Sequence, residues 1–292
     1  MSTAPDPPAL TVESTNTYRR HVQEAADDVK DRLTRSPTLG LVLATGRDTL
    51  PDAFTVDDEW PLDALPHVPQ SEAATGSLVA GTLANTPVLV LDGPLSLHDG
   101  FTPRQVAFPI RMLAEAGVDT LLFTATAGSV HPEVAPSDLF LVTDHINFQG
   151  ANPLVAPNVE KCGPRFPDMS EPYDPALRKD AERVALQEGI GLQKGIYFAV
   201  LGPNLGTQAE YRMVRTLGAD VVGTGMVPEV LAARHMDVRV LALSVVTDRC
   251  SPDAVDPIAT SDVKEAVDTA RPRLRRLLSG LVAAHEEESV LA

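Results

Sequence analysis

The stretch AVLGPNLGTQAEYR, residues 199–212, decides how this chain is expected to fold. A short apolar run ends in Gly-Pro, a polar turn follows, and Thr207 and Glu210 then stand at the spacing of a helix capping box. A strand, a turn and a capped helix in this order predict one unit of an α/β sheet, which binds ligands at the carboxyl ends of its strands. The turn is centred on Leu205-Gly206, which offers a ligand no polar side chain.

Further apolar runs of strand length recur along the chain. With the run at 195–202, they predict strands at 39–45, 87–93, 120–128, 139–147, 220–225 and 238–248. Most are apolar on both faces, which is typical of buried strands in a parallel sheet. The sequence therefore predicts an α/β protein with a mixed, mostly parallel sheet.

Helical patterns alternate with these strands. They predict helices at about 15–35, from Pro103 behind a Thr102 cap and with a kink at Pro109, after Thr207, from Pro228, and at about 261–286 behind a Ser261 cap. Residues 1–14 are rich in Pro, Ser and Thr and are expected to be disordered. No linker divides the remainder, so residues 15–292 are expected to form one domain whose sheet is flanked by helices.

The charge of the chain limits its partners. Forty acidic residues against 24 basic ones give a net charge of −16, which repels nucleic acid and anionic membranes. This acidity fits either a high-salt cytoplasm or an ordinary acidic protein. We find neither a secretory leader pattern nor a run of membrane-spanning length, so a cytoplasmic protein is expected. The two cysteines have no metal-site spacing, and no metal is predicted.

Several strand ends carry residues suited to ligand binding. Thr45-Gly46 can cradle an anion, the small residues 126–128 allow a ligand close to the backbone, and Asp248 can accept or donate a proton. His98, in the loop LSLHDGF, has the side chain best suited to titrate near neutrality. Each also has a purely structural interpretation, as a turn, tight packing, a helix cap or an exposed loop residue. Asp144 and His145 are expected to pin a loop rather than bind a ligand.

Five blocks together resemble one family. They are AFPIRMLAEAGVDTLLFTATAG, DHINFQGANPL, RFPDMSEPYDP, GPNLGTQAEYR and LGADVVGTGMVPEVLAARHMDVRVLALSVVTD, in that order. They are similar to the trimeric purine nucleoside phosphorylases and their relative methylthioadenosine phosphorylase. The resemblance implies the nucleoside phosphorylase fold, a homotrimer, and cleavage of a purine nucleoside by inorganic phosphate to free base and ribose 1-phosphate. It implies no cofactor beyond phosphate as co-substrate.

The resemblance also assigns roles to individual positions. It implies Asp248 and His98 as catalytic residues. The phosphate-binding positions are Thr45, Gly46, Ser96, Thr126 and Ala127. The sugar- and base-binding positions are Gly128, Tyr197, Leu205, Gly206 and Met226. An Asp at position 248, as in methylthioadenosine phosphorylase, favours a base with a 6-amino group.

Several of these positions depart from the family's pattern. The substituted residues are Ala74, Pro94, Ser96, His98, Cys162, Leu205 and Gly206. Pro94 stands where an arginine grips phosphate, and Gly206 stands where a glutamate anchors the purine. His98 and a nearby arginine, such as Arg47 or Arg104, are expected to replace the missing cation.

Three functions are compatible with this pattern. The first, which we predict, is a purine nucleoside phosphorylase with a rearranged site. The second is a non-catalytic homologue that binds a purine or another small molecule without turnover, because the phosphate, sugar and base positions are all altered. The third is a nucleoside hydrolase, which explains a lost phosphate site but not a lost purine anchor.

Overall fold

A computed structural model describes residues 11–71, 76–158, 162–251 and 258–291. These residues form a mixed sheet of nine strands. The strands are β1 (Leu39–Leu43), β2 (Thr55–Pro61), β3 (Ser77–Leu83), β4 (Thr86–Asp92), β5 (Thr120–Ser129), β6 (Leu139–Asn147), β7 (Leu192–Ala199), β8 (Val221–Gly223) and β9 (Arg239–Arg249). The helices are α1 (Val12–Arg32), α2 (Pro103–Val106), α3 (Phe108–Glu115), α4 (Pro175–Gln187), α5 (Gln208–Thr216), α6 (Val227–His235) and α7 (Thr260–Leu291).

The sheet has an open half and a closed half. Its strand order is β2-β3-β4-β1-β5-β8-β7-β6-β9, and β5 also pairs with β9. The strands β5, β8, β7, β6 and β9 therefore form a ring, and the other four extend from one side of it. Five of the nine strand pairings are parallel. The prediction of a single α/β domain with a mixed, mostly parallel sheet is confirmed.

Helices cover both faces of the sheet. Val22 of α1, Phe108 of α3 and Val230 of α6 belong to one apolar core. Leu177 of α4 and Leu274 of α7 belong to a second core on the opposite face. Strand β1 contributes to both, because successive side chains of a strand point to opposite faces of the sheet. This double burial explains why the strand runs are apolar throughout.

Local signals placed most of the elements. The predicted strand at 139–147 coincides with β6, and capping boxes fix the starts of α2 at Thr102 and of α5 at Thr207. The predicted helix after Thr102 is interrupted at Ala107, one residue before α3 begins with Pro109 at its second position. Strands β2 and β3 were missed by the sequence analysis. Most of β2 is exposed and polar, so it lacks an apolar run.

Two terminal predictions are wrong in detail. Helix α1 begins at Val12 behind a Thr11 cap, so residues 11–14 are not disordered. Residues 1–10 and Ala74 lie outside the described residues. Helix α7 begins at Thr260, so Ser261 lies inside it and is not its cap. None of the described helices is both long and apolar enough to cross a membrane.

Candidate active site

Two cavities adjoin at the carboxyl ends of the central strands. The first, which we call the His98 cavity, has a volume of about 480 Å³ and lies beyond β1, β4 and β5. The second, the Asp248 cavity, has a volume of about 450 Å³ and lies among β5, β8, β9 and α5. Thr126 and Thr224 line both cavities. One elongated ligand, or two ligands in contact, can therefore occupy them together.

A register shift between β5 and β9 brings Asp248 to its cavity. Val246 pairs with Ala127, but Asp248 rather than Thr247 pairs with Gly128. The extra residue is a β-bulge, a feature that re-aims the side chains after it. Without it, Asp248 would point to the opposite face of the sheet, because side chains alternate along a strand. The bulge therefore determines that the Asp248 side chain faces the cavity.

Neighbouring side chains hold the Asp248 carboxylate. The Thr247 hydroxyl donates to its Oδ1 at 2.6 Å, and the Cys250 thiol donates to its Oδ2 at 3.1 Å. Burial and the nearby carboxylate raise the pKa of the Cys250 thiol, which keeps it protonated as a donor. Asp248 is thus fixed in orientation, and it retains lone pairs that can accept from a ligand.

Gly128 leaves the room that this arrangement needs. A Cβ atom built there would lie 2.3 Å from Cys250 Sγ and 3.0 Å from Asp248 Oδ2. Cys250 is only 3% exposed, so it has little freedom to move away. The small residue at position 128 is therefore required by packing beside the cavity.

The bare turn at 202–206 also has a structural explanation. The backbone N–H of Gly206 donates to the Tyr211 hydroxyl at 3.0 Å, and a Cβ at Gly206 would lie 2.6 Å from the Tyr211 ring. Tyr211 on α5 thus occupies the space that a side chain at position 206 would need. Leu205 is 61% exposed beside the cavity. The turn contributes shape and apolar surface to the Asp248 cavity.

The His98 cavity contains several of the predicted anion-binding residues. Gly46, Ser96, His98 and Thr126 line it. The Ser96 hydroxyl and His98 Nδ1 are 2.6 Å apart, which orients the imidazole. The hydroxyl of Thr45 instead contacts the Thr124 and Thr49 hydroxyls, at 2.7 and 3.0 Å.

The structure places three of the predicted residues outside the cavity wall expected for them. Thr45 lies beside the His98 cavity but not in its wall, and its hydroxyl is engaged with two other threonines. Ala127 lines the Asp248 cavity and not the predicted phosphate side. Tyr197 is fully buried and lines neither cavity. Its hydroxyl accepts from the Gly225 N–H at 3.4 Å, so Tyr197 contacts the loop before α6 instead.

The remaining predicted residues line one cavity or the other. Met226 is in the wall of the His98 cavity, whereas Gly128, Leu205, Gly206 and Asp248 are in the wall of the other. Thr224 directly precedes Gly225-Met226 and lines both cavities, but it was not predicted from the sequence. Asp144 and His145 lie within β6, where Asp144 accepts from the His145 N–H and His145 Nδ1 is 3.0 Å from the Tyr173 hydroxyl.

The proposed substitute arginines have other partners. Arg47 donates to Glu59 at 2.5 Å, and the guanidinium of Arg104 stacks over the Tyr18 ring at 4.4 Å. Neither lines the His98 cavity. Across the described chain, the wall of this cavity contains neither lysine nor arginine.

Carboxyl groups instead dominate the ionisable lining of the His98 cavity. Asp92, Asp99 and Glu229 are all in its wall. Glu229, at the start of α6, is 4% exposed, and its Oε2 has no hydrogen-bond partner among the described residues. Burial raises the pKa of Glu229 to about 8, although the backbone N–H groups of Met226 and Glu229 itself oppose the shift. Asp92 and Glu229 were not among the site residues predicted from the sequence.

Comparisons with known proteins show what this architecture resembles. The model of the phosphorylase superfamily matches residues 38–283. Purine nucleoside phosphorylase 1 of Bacillus subtilis is 38% identical to the chain over 267 residues, which cover 91% of this chain and 98% of the relative. Purine nucleoside phosphorylase of Bos taurus is 34% identical over 271 residues, covering 90% and 94%.

Solved structures show the same likeness in three dimensions. A Schistosoma purine nucleoside phosphorylase in complex with guanosine has a TM-score of 0.83 and 30% identity, and the match covers 90% of this chain and 96% of that one. Isoform 2 of the Schistosoma mansoni enzyme, in complex with cytosine and ribose-1-phosphate, has a TM-score of 0.85 and 28% identity with the same coverage.

Gly128→Ala is expected to lower the free energy of unfolding by about 1–3 kcal/mol, because the added methyl group overpacks against Cys250. Urea unfolding of the single and double variants measures this. Adding Cys250→Ala should restore much of the loss by removing the clashing sulfur. If the two changes prove additive, Cys250 is not the atom that excludes a side chain at position 128.

Glu229→Gln is expected to change how stability depends on pH. The folded-state pKa of about 8 lies above the ordinary 4.5, so the folded chain binds the proton more tightly. The stability from Glu229 is complete below pH 4.5 and is lost as pH rises through about 8. The free energy of unfolding of the wild type, measured relative to the variant, should fall by up to roughly 1.4 kcal/mol per pH unit in that window. Parallel urea-unfolding profiles for the two proteins would contradict this.

Proposed function

The chain belongs to the phosphorylase superfamily, and from this membership we propose that it is a pentosyltransferase of the purine nucleoside phosphorylase type. The observation that carries the proposal is the pair of cavities that meet at Thr126 and Thr224. Phosphorolysis of a nucleoside needs one pocket for the base, a second pocket for the attacking anion, and a junction between them where the sugar can lie.

The reaction exchanges one bond at the anomeric carbon. A phosphate oxygen forms a bond to C1′ while the bond from C1′ to the purine nitrogen breaks. The bonding electrons leave with the base, which then takes up a proton. In our proposal the purine occupies the Asp248 cavity, phosphate lies beside Gly46, Ser96 and His98, and the sugar spans Thr126 and Thr224. Holding the reactants in line supplies much of the catalysis of such a transfer.

Asp248 is the proposed base-recognition residue. Its carboxylate is held by Thr247 and Cys250 and keeps acceptor sites for a ligand. A 6-amino group can donate to it, whereas a 6-oxo group offers only an acceptor. We therefore propose that the chain prefers purine nucleosides with a 6-amino group, such as adenosine or methylthioadenosine.

One observation favours a second candidate, a non-catalytic binding protein. The wall of the His98 cavity contains carboxyl groups and, within the described part of the chain, neither lysine nor arginine. The loss of a charge-assisted grip on a phosphate dianion costs on the order of 3–5 kcal/mol. A nucleoside hydrolase remains the third candidate, because water needs no anion site.

The proposal also covers the oligomeric state, the cellular location and the co-substrate. We take it to be a cytoplasmic homotrimer whose reaction uses phosphate and no organic cofactor. Exposed apolar residues support self-association. Phe166 is 87% exposed and Val155 65% exposed, and both lie in the irregular segment between β6 and α4.

The test of the activity is release of free base from inosine, guanosine, adenosine and methylthioadenosine, with and without phosphate, at low and molar salt. Phosphate-dependent release of base with formation of ribose 1-phosphate is expected. Release that does not depend on phosphate would indicate a hydrolase. Binding without any release would indicate the non-catalytic protein.

Asp248→Asn is expected to shift preference from 6-amino to 6-oxo purines, since an amide can donate to a 6-oxo group. The ratio of kcat/KM for adenosine to that for inosine should fall by about 10-fold or more, which corresponds to one altered hydrogen bond. Thr247→Val is the comparison variant, because it removes a contact to Asp248 without changing the group offered to the base. An unchanged ratio in Asp248→Asn would remove Asp248 from base recognition.

A further inference from the structure

Asp92 is an unexpected residue in a cavity proposed to hold phosphate. It ends strand β4, pairs in register with Leu43 of β1, and lies half-buried in the wall of the His98 cavity. A carboxylate only accepts hydrogen bonds. A fully deprotonated oxyanion also only accepts, so the two repel and neither satisfies the other.

The ionisable groups around Asp92 do little to reduce the repulsion between its carboxylate and a deprotonated oxyanion. The ionisable groups that face the cavity or act on Asp92 are His98 and Asp99 from the turn after β4, Glu229 from α6, Arg47 and Asp48 from the segment after β1, and Glu59 from β2. Arg47 lowers the pKa of Asp92, but burial outweighs it and the net shift is upward. Arg47 is also paired with Glu59 at 2.5 Å.

Glu229 adds a second carboxyl group, which burial keeps protonated up to about pH 8. It is buried in the same wall, and its Oε2 has no partner in the described part of the chain. In an anion site built from arginine, such carboxyl groups would be neutralised by an adjacent charge. In this cavity the single basic group among the described wall residues is the imidazole of His98.

We propose that Asp92 makes the His98 cavity selective for an oxyanion that carries a proton, so that phosphate binds here as its monoanion. The P–OH group donates to Asp92, and the remaining oxygens accept from Ser96, His98 and nearby backbone N–H groups. This inference rests on the proposed function, because it takes the His98 cavity to be the phosphate subsite. After transfer, the proton stays with the phosphate group of ribose 1-phosphate.

The chemistry of three oxyanions makes this selectivity measurable. Phosphate and arsenate change between monoanion and dianion near neutrality, whereas sulfate carries no proton there. A site with a carboxylate acceptor therefore admits phosphate and arsenate and rejects sulfate. A site that depends on positive charge alone admits sulfate as readily as the phosphate dianion.

The experiment measures KM for phosphate from about pH 6 to about pH 8.5 and inhibition by sulfate across the same range. The wild type should lose phosphate affinity by up to about tenfold per pH unit once the monoanion is depleted, as uptake of one proton requires. Sulfate should inhibit weakly at every pH, and arsenate should replace phosphate as a substrate. Strong sulfate inhibition of the wild type would overturn the proposal.

Asp92→Asn tests the role of the carboxylate while leaving His98 in place. The amide can donate to a dianion, so sulfate inhibition should strengthen on the order of tenfold and the dependence of phosphate KM on pH should flatten. His98→Gln should weaken phosphate binding but keep the discrimination against sulfate. Asp63→Asn is the matched control, because Asp63 is exposed, lies outside the cavity wall and is not among the groups that act on Asp92; it should behave as wild type. An unchanged response to sulfate in Asp92→Asn would overturn the proposal.

A binding measurement separates this inference from the proposed function. Phosphate, arsenate and sulfate are titrated calorimetrically into the wild type and Asp92→Asn, in buffers of different ionisation enthalpy. Phosphate binding with proton uptake but no release of base supports the selectivity and refutes the phosphorylase. Release of base with a phosphate KM that does not vary with pH supports the phosphorylase and refutes the selectivity. Absence of phosphate binding refutes both.

Discussion

The site depends on one constraint, the β-bulge at Thr247 where β9 meets β5. Ring closure of β5, β8, β7, β6 and β9 places these two strands side by side, and the bulge then sets Asp248 opposite Gly128. Gly128 must be small because Cys250 occupies the space above it, and Cys250 in turn donates to Asp248. Backbone register, packing and the orientation of the carboxylate are therefore a single linked arrangement.

The two cavities differ at the positions where the sequence was expected to depart from the family's pattern. In the Asp248 cavity, the Tyr211 ring fills the space that a side chain at position 206 would need. In the His98 cavity, the described wall has no arginine or lysine, and Arg47 and Arg104 are engaged elsewhere. Carboxyl groups determine its electrostatics, so the form of the anion becomes as important as its presence.

Two polar side chains that were expected to touch the ligand contact other groups of the protein instead. Tyr197 was expected to touch the sugar, but it lies beneath the loop before α6 and contacts Gly225. Thr45 was expected to bind phosphate, but its hydroxyl contacts Thr124 and Thr49. Thr45 stands at the end of one predicted strand and Tyr197 within another, and neither lines a cavity wall. Position along a strand predicted their neighbourhood, but it did not determine the direction of their side chains.

The sequence by itself determined the α/β class, most strands, the capped starts of α2 and α5, and the strand ends at which the site forms. These follow from local periodicity and capping chemistry, which depend on residues close together in the chain. Only the tertiary structure decided the ring closure, the Asp248 register and the engagement of Arg47 with Glu59. It also placed Asp92 and Glu229 in one cavity. These features arise from contacts between distant segments, and a register shift of one residue leaves no signal in local sequence.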